Sequence, residues 1–99
     1  MKKSFTFHEP LWQYPGKGSW HFITLPEATA REVDFYFGHL RKGWGSLPVH
    51  AQIGEVVWET SIFPDKKSKS YLLPVKVAVR KRAQLKAGVS IDVQVTIEE

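Results

Sequence analysis

The feature that most constrains the fold is a strict alternation of apolar and polar residues near the end of the chain. Within residues 89–97, Ile91, Val93, Val95 and Ile97 are separated by single polar residues. A period of two is typical of a β-strand with one face against a core and the other facing outward. The sequence therefore predicts a strand here. Related patterns predict five more strands, at 5–12, 19–25, 47–53, 56–63 and 71–73.

Two Leu-Pro pairs predict where strands pass into helices. Pro26 and Pro74 each follow a leucine that ends a predicted strand, and the first helical position tolerates proline because its N–H would be unbonded there anyway. Gly38 and Gly88 then predict the points at which the two helices stop. The residues expected on the buried sides are Ala30, Val33 and Phe37 in the first helix and Val75, Ala78, Val79 and Leu85 in the second.

The order of these elements repeats. Strand, strand, helix and strand occur twice, and the Leu25-Pro26 corner recurs as Leu73-Pro74 nearly half the chain later. Two such copies can close on each other, each pairing the edges that the other exposes. We therefore predict a mainly β (α+β) fold, a double-split β-barrel of about six strands with two short helices and a pseudo-twofold β-β-α-β duplication. We expect residues 1–99 to form a single domain with halves at about 3–53 and 56–97.

Composition removes several classes of protein. The 99 residues include no cysteine, which excludes disulfides and thiolate zinc sites. No apolar run approaches the ~20 residues of a membrane span, so we expect no membrane partner and a cytoplasmic location. The chain contains no phosphate-binding glycine loop and no nucleophile motif. We predict no cofactor and no catalytic residues, and enzymatic activity is not expected.

The clearest functional signal is a basic segment. Residues 66–86 hold eight lysines and arginines and no acid, whereas the rest of the chain holds six bases and ten acids. The residues predicted to bind a polyanion or a partner are Lys66, Lys67, Lys69, Lys76, Arg80 and Lys81. Three interpretations remain open: docking to an acidic protein, binding to nucleic acid through phosphate contacts, and a solvated surface that keeps the domain soluble.

Tryptophans and histidines suggest a further alternative, a small-ligand pocket at the mouth of the barrel near Trp20, Trp44 and Trp58. Trp44 lies between two glycines and would suit a lid, but a side chain folded back onto the core is the interpretation the sequence favours. The four histidines show no close metal-ligand spacing. A metal site would need at least three converging ligands, so no metal is predicted.

Several segments together resemble a bacterial family of small domains of unknown function. They are Trp20–Pro26, Gln52–Gly54, Trp58–Pro64 and Leu73–Arg80. Members of this family sometimes sit beside a bacteriocin-protection, OmpD-associated segment. The resemblance implies a double-split barrel similar to the AbrB/MazE architecture, built from one chain instead of two. AbrB-type DNA binders place Gly-Asp after the helix, whereas Gly88 is followed here by Val89, and no residue role is transferred.

Overall fold

The computed structural model describes residues 1–99 and contains six β-strands and two short α-helices. In chain order the elements are β1 (Lys2–Gln13), β2 (His21–Thr24), α1 (Glu27–Phe37), β3 (Leu47–Ile53), β4 (Val56–Asp65), β5 (Ser70–Pro74), α2 (Val77–Arg82) and β6 (Ser90–Glu98). Two 3-10 turns, Gly38–Leu40 and Gly43–Gly45, separate α1 from β3. All six predicted strands are confirmed, and the bounds of β3 agree to the residue.

The strands form a closed antiparallel barrel in the order β1-β2-β5-β4-β3-β6. This order is unchanged when β1, β2 and β3 are exchanged with β4, β5 and β6, so the topology has the repeat that the sequence predicts. The equivalent strands of the two halves pair with each other: β2 with β5, Ile23 opposite Leu73, and β3 with β6, Ala51 opposite Val95. Closure gives every strand a neighbour on both sides, although β1 and β4 each pair with one of their neighbours over only three residues.

One cluster of 21 buried side chains fills the interior. Strands β3 and β6 each turn alternate residues inward, as their patterns predict. Helix α1 adds Ala30, Val33 and Phe37 to the same core, and the Phe37 ring packs edge-on against Phe5 of β1 at a centroid distance of 6.4 Å. The apolar stripe predicted for the first helix is therefore confirmed.

The second helix differs from its prediction at both ends. Pro74 extends β5 and lies opposite Phe22, and the helix begins only at Val77. It ends early because Gln84 adopts a left-handed conformation with φ of 54°. Leu85 N–H then donates to the Arg80 carbonyl at 2.9 Å and Gln84 N–H to the Lys81 carbonyl at 3.3 Å, which is the Schellman pattern of a helix end.

One local prediction is wrong as a result. Ala78 was expected on the buried side of the helix but is exposed, since only Val79 of α2 is fully buried. The predicted stop of the first helix at Gly38 is confirmed, because α1 ends at Phe37 and Gly38, with a φ of −55°, begins a 3-10 turn. Neither α1 nor α2 has the length and apolar character that a membrane-crossing helix requires.

Candidate functional site

An unusual concentration of aromatic side chains lies on the outside of the barrel. Pairing between β1, β2, β5 and β4 places outward-facing residues next to one another in two rows that cross the strands. The rows are Trp12–Phe22–Pro74 and Thr24–Leu72–Phe63. Tyr14 and Trp20 extend the first row beyond the ends of β1 and β2, where Tyr14 N–H donates to the Trp20 carbonyl at 2.8 Å. We call this the aromatic surface: Trp12, Tyr14, Trp20, Phe22, Phe63, Leu72 and Pro74.

The rings of the aromatic surface pack on one another while one side stays open to solvent. Phe22 lies at the centre, with centroids 5.3 Å from Trp12, 6.3 Å from Tyr14 and 6.4 Å from Trp20. The Trp12 indole N–H donates to the Thr24 hydroxyl at 2.9 Å, which fixes that ring. Trp20 remains 63% exposed. The surface is thus ordered before any partner arrives.

A groove of about 400 Å³ runs across this surface. Its walls are the side chains of Tyr14, Trp20, Phe22, Phe63, Leu72 and Pro74, none of them charged. Such a groove can accept an apolar side chain, because burial of apolar area is favourable on both partners. It offers no charged group that would hold a polar ligand.

A second depression of about 260 Å³ adjoins the groove and shares Trp20 and Pro74 with it. The charged side chains that line it are Lys76 and Arg80, and no carboxylate does. Arg80 is fixed, since its Nε donates to the Val75 carbonyl at 3.1 Å and its Nη2 to the Ser19 carbonyl at 3.3 Å. Lys76 is exposed and takes part in none of the five ion pairs.

The basic residues singled out in the sequence fall into two groups. Lys66, Lys67 and Lys69 lie in the turn between β4 and β5, whereas Lys76, Arg80 and Lys81 lie at α2, after the far end of β5. Helix α2 approaches the start of β4, where its last residues line a depression with the 54–56 hairpin. The lysine turn follows the other end of that ten-residue strand, and the whole of β5 separates it from Lys76.

The three tryptophans do not line one pocket. Trp20 belongs to the aromatic surface, Trp58 is in the core at 7% exposure, and Trp44 is 93% exposed on the turn before β3. The interpretation of Trp44 as folded back onto the core is therefore wrong. Its φ of 65° lies in the left-handed region, which is unusual for a bulky residue.

The histidines contact carboxylates or backbone individually. His8 Nδ1 lies 2.8 Å from Asp92, His39 Nε2 lies 3.2 Å from Glu99, and His50 Nε2 lies 3.6 Å from Glu59. His21 bonds to the Ser19 carbonyl at 2.7 Å. No group of three or more His, Cys, Asp or Glu side chains is arranged to hold a metal ion.

One polar network penetrates the core below α1. The Tyr71 hydroxyl donates to an Asp34 oxygen at 2.5 Å and accepts from Arg41 Nε at 2.9 Å, and Arg41 also pairs with Asp34. Burial of the Tyr71 ring, reinforced by the Asp34 carboxylate, raises the pKa of Tyr71 to about 12. The network ties β5, α1 and the turn that carries Trp44 to one another.

These features define a small closed β-barrel with a filled interior and with its grooves on the outside. The chain belongs to the family described as Domain of unknown function (DUF1905), which matches residues 7–95. The match extends from within β1 to within β6 and so includes the aromatic surface. It agrees with the resemblance to a family of small domains of unknown function. No curated protein gives a significant match.

Most of the aromatic surface was missed at the sequence level. Only Trp20 was predicted as a site residue, whereas Tyr14, Phe22, Phe63 and Leu72 were not. One signal was present, because both faces of the β2 segment are apolar. A strand of a small barrel has one outward face, so the second apolar face had to lie on the outside.

Proposed function

We propose that this protein is a non-catalytic binding module that holds a short acidic segment of a partner protein. An apolar side chain of the partner occupies the groove of the aromatic surface, and a neighbouring carboxylate lies beside Lys76 and Arg80. The observation that carries the proposal is the continuity of the two depressions through Trp20 and Pro74. Together they place positively charged side chains directly beside an apolar groove.

The apolar half of the surface supports a protein partner. Large side chains on a sheet exterior lose favourable burial, and a contiguous exposed apolar patch on a small protein commonly marks an interaction site. Tryptophan and tyrosine are enriched among the residues that dominate binding energy at such sites. Trp20 and Tyr14 are well placed for that role, because their rings are exposed yet already packed against Phe22.

The charged half supports an acidic segment. Neither depression is lined by Asp or Glu, so a carboxylate brought there meets only positive charge. Complementary charge of this kind speeds association and selects against basic partners. Arg80 contributes a guanidinium that is already oriented by backbone carbonyls, and Lys76 contributes a mobile ammonium.

Peptide binding tests the proposal. The probes are fluorescein-labelled peptides with a central leucine or phenylalanine flanked by glutamate, compared with the same peptides flanked by lysine. We expect the acidic set to bind, with affinity falling as salt is raised. Trp20→Ala should weaken binding at least about tenfold, as for an interface hot spot, and Lys76→Glu should reverse the preference for acid.

Val57→Ala is the matched control, since Val57 is an exposed apolar residue of β4 outside the aromatic surface. Equal binding of acidic and basic peptides would contradict the assigned partner chemistry. A Trp20→Ala variant that binds as well as the natural protein would contradict the assigned groove.

We also propose, from the resemblance, that the barrel follows an AbrB/MazE-like plan in a bacterial cytoplasmic protein. The exchange symmetry of the strand order supports a plan made of two equivalent halves. Fragments 1–54 and 55–99, cut at the hairpin between β3 and β4, should then reassociate on mixing into a species with the NMR spectrum of the intact barrel. Fragments that remain unfolded together would contradict the idea that each half supplies what the other needs.

A further inference from the structure

We propose a second binding site, independent of the aromatic surface, for a nucleobase linked to phosphate. Trp44 stacks on the base, while Lys42, Lys66 and Lys69 hold the phosphate. The site joins two features: the Trp44 loop, residues 41–46, and the lysine turn, residues 66–69. They are neighbours because the loop packs on Pro64, just before the lysine turn begins.

The Trp44 loop has an ordered backbone and an indole that lies in solvent. Trp44 is the most exposed large apolar side chain of the protein, at 93%. Its left-handed backbone is unusual for a bulky residue, yet the loop is closed by hydrogen bonds. Gly45 N–H donates to the Lys42 carbonyl at 2.8 Å, and Lys42 N–H donates to the Ser46 carbonyl at 2.9 Å. An aromatic ring on an ordered loop loses little conformational freedom when a ligand stacks on it.

The foot of the loop is tied to the barrel. Arg41 bonds to the Tyr71 hydroxyl and pairs with Asp34, so its position is set by β5 and α1. At the other side, Gly45 approaches Pro64 so closely that a β-carbon would lie 2.9 Å from the Pro64 Cγ. The loop therefore has a defined position relative to the lysine turn.

Positive charge on this site outnumbers negative charge. A cleft of about 190 Å³ is bordered by Arg41, Lys66, Lys69 and two aspartates. Asp34 is paired with Arg41 and bonded to the Tyr71 hydroxyl. Asp65 accepts from the Ser68 N–H at 3.1 Å and its hydroxyl at 2.7 Å, and because both donors are neutral its charge still offsets one of the two lysines. None of the five ion pairs includes a lysine.

The exposed indole and the lysines together indicate which class of ligand the site would bind. One exposed aromatic ring beside several free lysines is the arrangement that proteins use for unpaired bases, with stacking on the ring and electrostatic attraction of the backbone. A duplex hides the faces of its bases, so it would lose the stacking term. Two sources share the required chemistry, a free nucleotide and a single strand of nucleic acid.

Fluorescence anisotropy with a labelled single-stranded oligonucleotide of about 12 nucleotides tests the site, with a duplex of the same sequence in parallel. We expect binding at about 50 mM salt that weakens at about 200 mM. Trp44→Ala should weaken it by about 5- to 150-fold, the usual range for losing one stacked base, and Trp44→Phe should retain most of it. Replacing Lys66 and Lys69 by glutamine should make the salt dependence shallower by about 0.7 per lost phosphate contact.

Competition with adenosine monophosphate and with inorganic phosphate identifies the source. Displacement by the mononucleotide assigns a free nucleotide, and resistance to it assigns a strand; either result supports the site. Trp20→Ala is the matched control, because it removes an exposed tryptophan of the aromatic surface and should leave this binding unchanged. Trp20→Ala is expected to weaken the binding of acidic peptides but not of the oligonucleotide. One proposal can therefore be contradicted while the other is supported.

Three outcomes would overturn the inference: no oligonucleotide binding at the lower salt concentration, equal binding by Trp44→Ala, or Trp44-dependent binding to vesicles of phosphatidylserine without binding to the oligonucleotide. Circular dichroism melting of each variant confirms that it folds. Since the Trp44 side chain is exposed, its removal should leave the melting temperature unchanged.

Discussion

Removal of one hydroxyl, by Tyr71→Phe, should measurably destabilise the barrel. The Tyr71 ring is only 1% exposed, and its hydroxyl links Asp34 on α1 to Arg41 at the foot of the Trp44 loop. Phenylalanine keeps the buried ring and deletes only these two hydrogen bonds. The variant therefore isolates the polar network from the packing around it.

The size of the effect follows from the exposure of the partners. A hydrogen bond to a charged group contributes about 1.5–3 kcal/mol. Asp34 and Arg41 are 47% and 39% exposed, so water partly replaces the lost contacts and the lower end applies. We expect the free energy of unfolding to fall by about 1.5 kcal/mol. For a chain of this length the melting temperature should fall by about 6–12 °C.

Alkaline pH provides a second measurement on the same group. The pKa of Tyr71 is raised from 10.0 to about 12 in the folded protein, so the folded state holds its proton where the unfolded state releases it. The resulting stabilisation is complete below pH 10 and is lost as pH rises from 10 through 12, by about 2–3 kcal/mol in all. Urea unfolding across this range should show the advantage of the natural protein over Tyr71→Phe shrinking to zero and then reversing as pH approaches 12.

Tyr36→Phe is the control, since it removes a tyrosine hydroxyl outside this network. Tyrosinate absorbance should lose its most alkaline step in Tyr71→Phe and keep it in Tyr36→Phe. The reasoning is refuted if Tyr71→Phe unfolds at the same urea concentration as the natural protein at pH 7, or if the stability difference between the two is constant up to pH 12.

Three further substitutions and one control variant test the backbone and the core by urea unfolding. Gly45→Ala places a β-carbon 2.9 Å from Pro64 at a φ of +75° and should cost about 1–3 kcal/mol, whereas Gly43→Ala, whose β-carbon meets open space, should cost far less. Gln84→Gly relieves a left-handed residue at the end of α2 and should stabilise the protein by up to about 1 kcal/mol. Ile62→Ala empties a fully buried position and should cost about 2–5 kcal/mol; a cost below 1 kcal/mol would mean that the core is loosely packed there.

The strands could be predicted from sequence because their physical signals are local. In β3 the residues Leu47, Val49, Ala51 and Ile53 alternate with polar or exposed ones, and each of the four is buried. The short turn at Gly54 then fixes the register to β4, because a one-residue slip would turn every buried side chain outward. Pattern and turn agree, and so the prediction succeeds.

The end of α2 could not be predicted in the same way. Glycine is the usual left-handed residue after a helix, and Gly88 was therefore predicted to end this one. The chain instead places Gln84 in this conformation and closes the helix with Leu85. A glutamine at position 84 does not predict a left-handed turn, because that conformation depends on the packing of Leu85 against the core.

The candidate surfaces depend on which way each strand faces and where each strand leads, neither of which is a local property. Ile23 and Leu25 point inward, which places Trp20 and Phe22 outside, but the opposite choice has almost equal apolar support in the sequence. Likewise, the lysine turn and α2 are close in sequence, but β5 runs between them. Tertiary structure therefore divides one basic segment into two groups with different neighbours.

The exterior of the barrel is asymmetric, and this asymmetry is the main reason to assign binding to the aromatic surface. On the side formed by β1, β6 and β3, outward groups satisfy one another: Ser4 bonds to Thr96 at 2.7 Å and His8 to Asp92 at 2.8 Å. On the side formed by β2 and β5, the outward side chains other than Thr24 are apolar and lie partly open to solvent. A closed barrel needs no apolar exterior to hold its strands together, because backbone hydrogen bonds and the inward face already do so. This excess of aromatic rings on the outside is what supports the proposed contact with a partner.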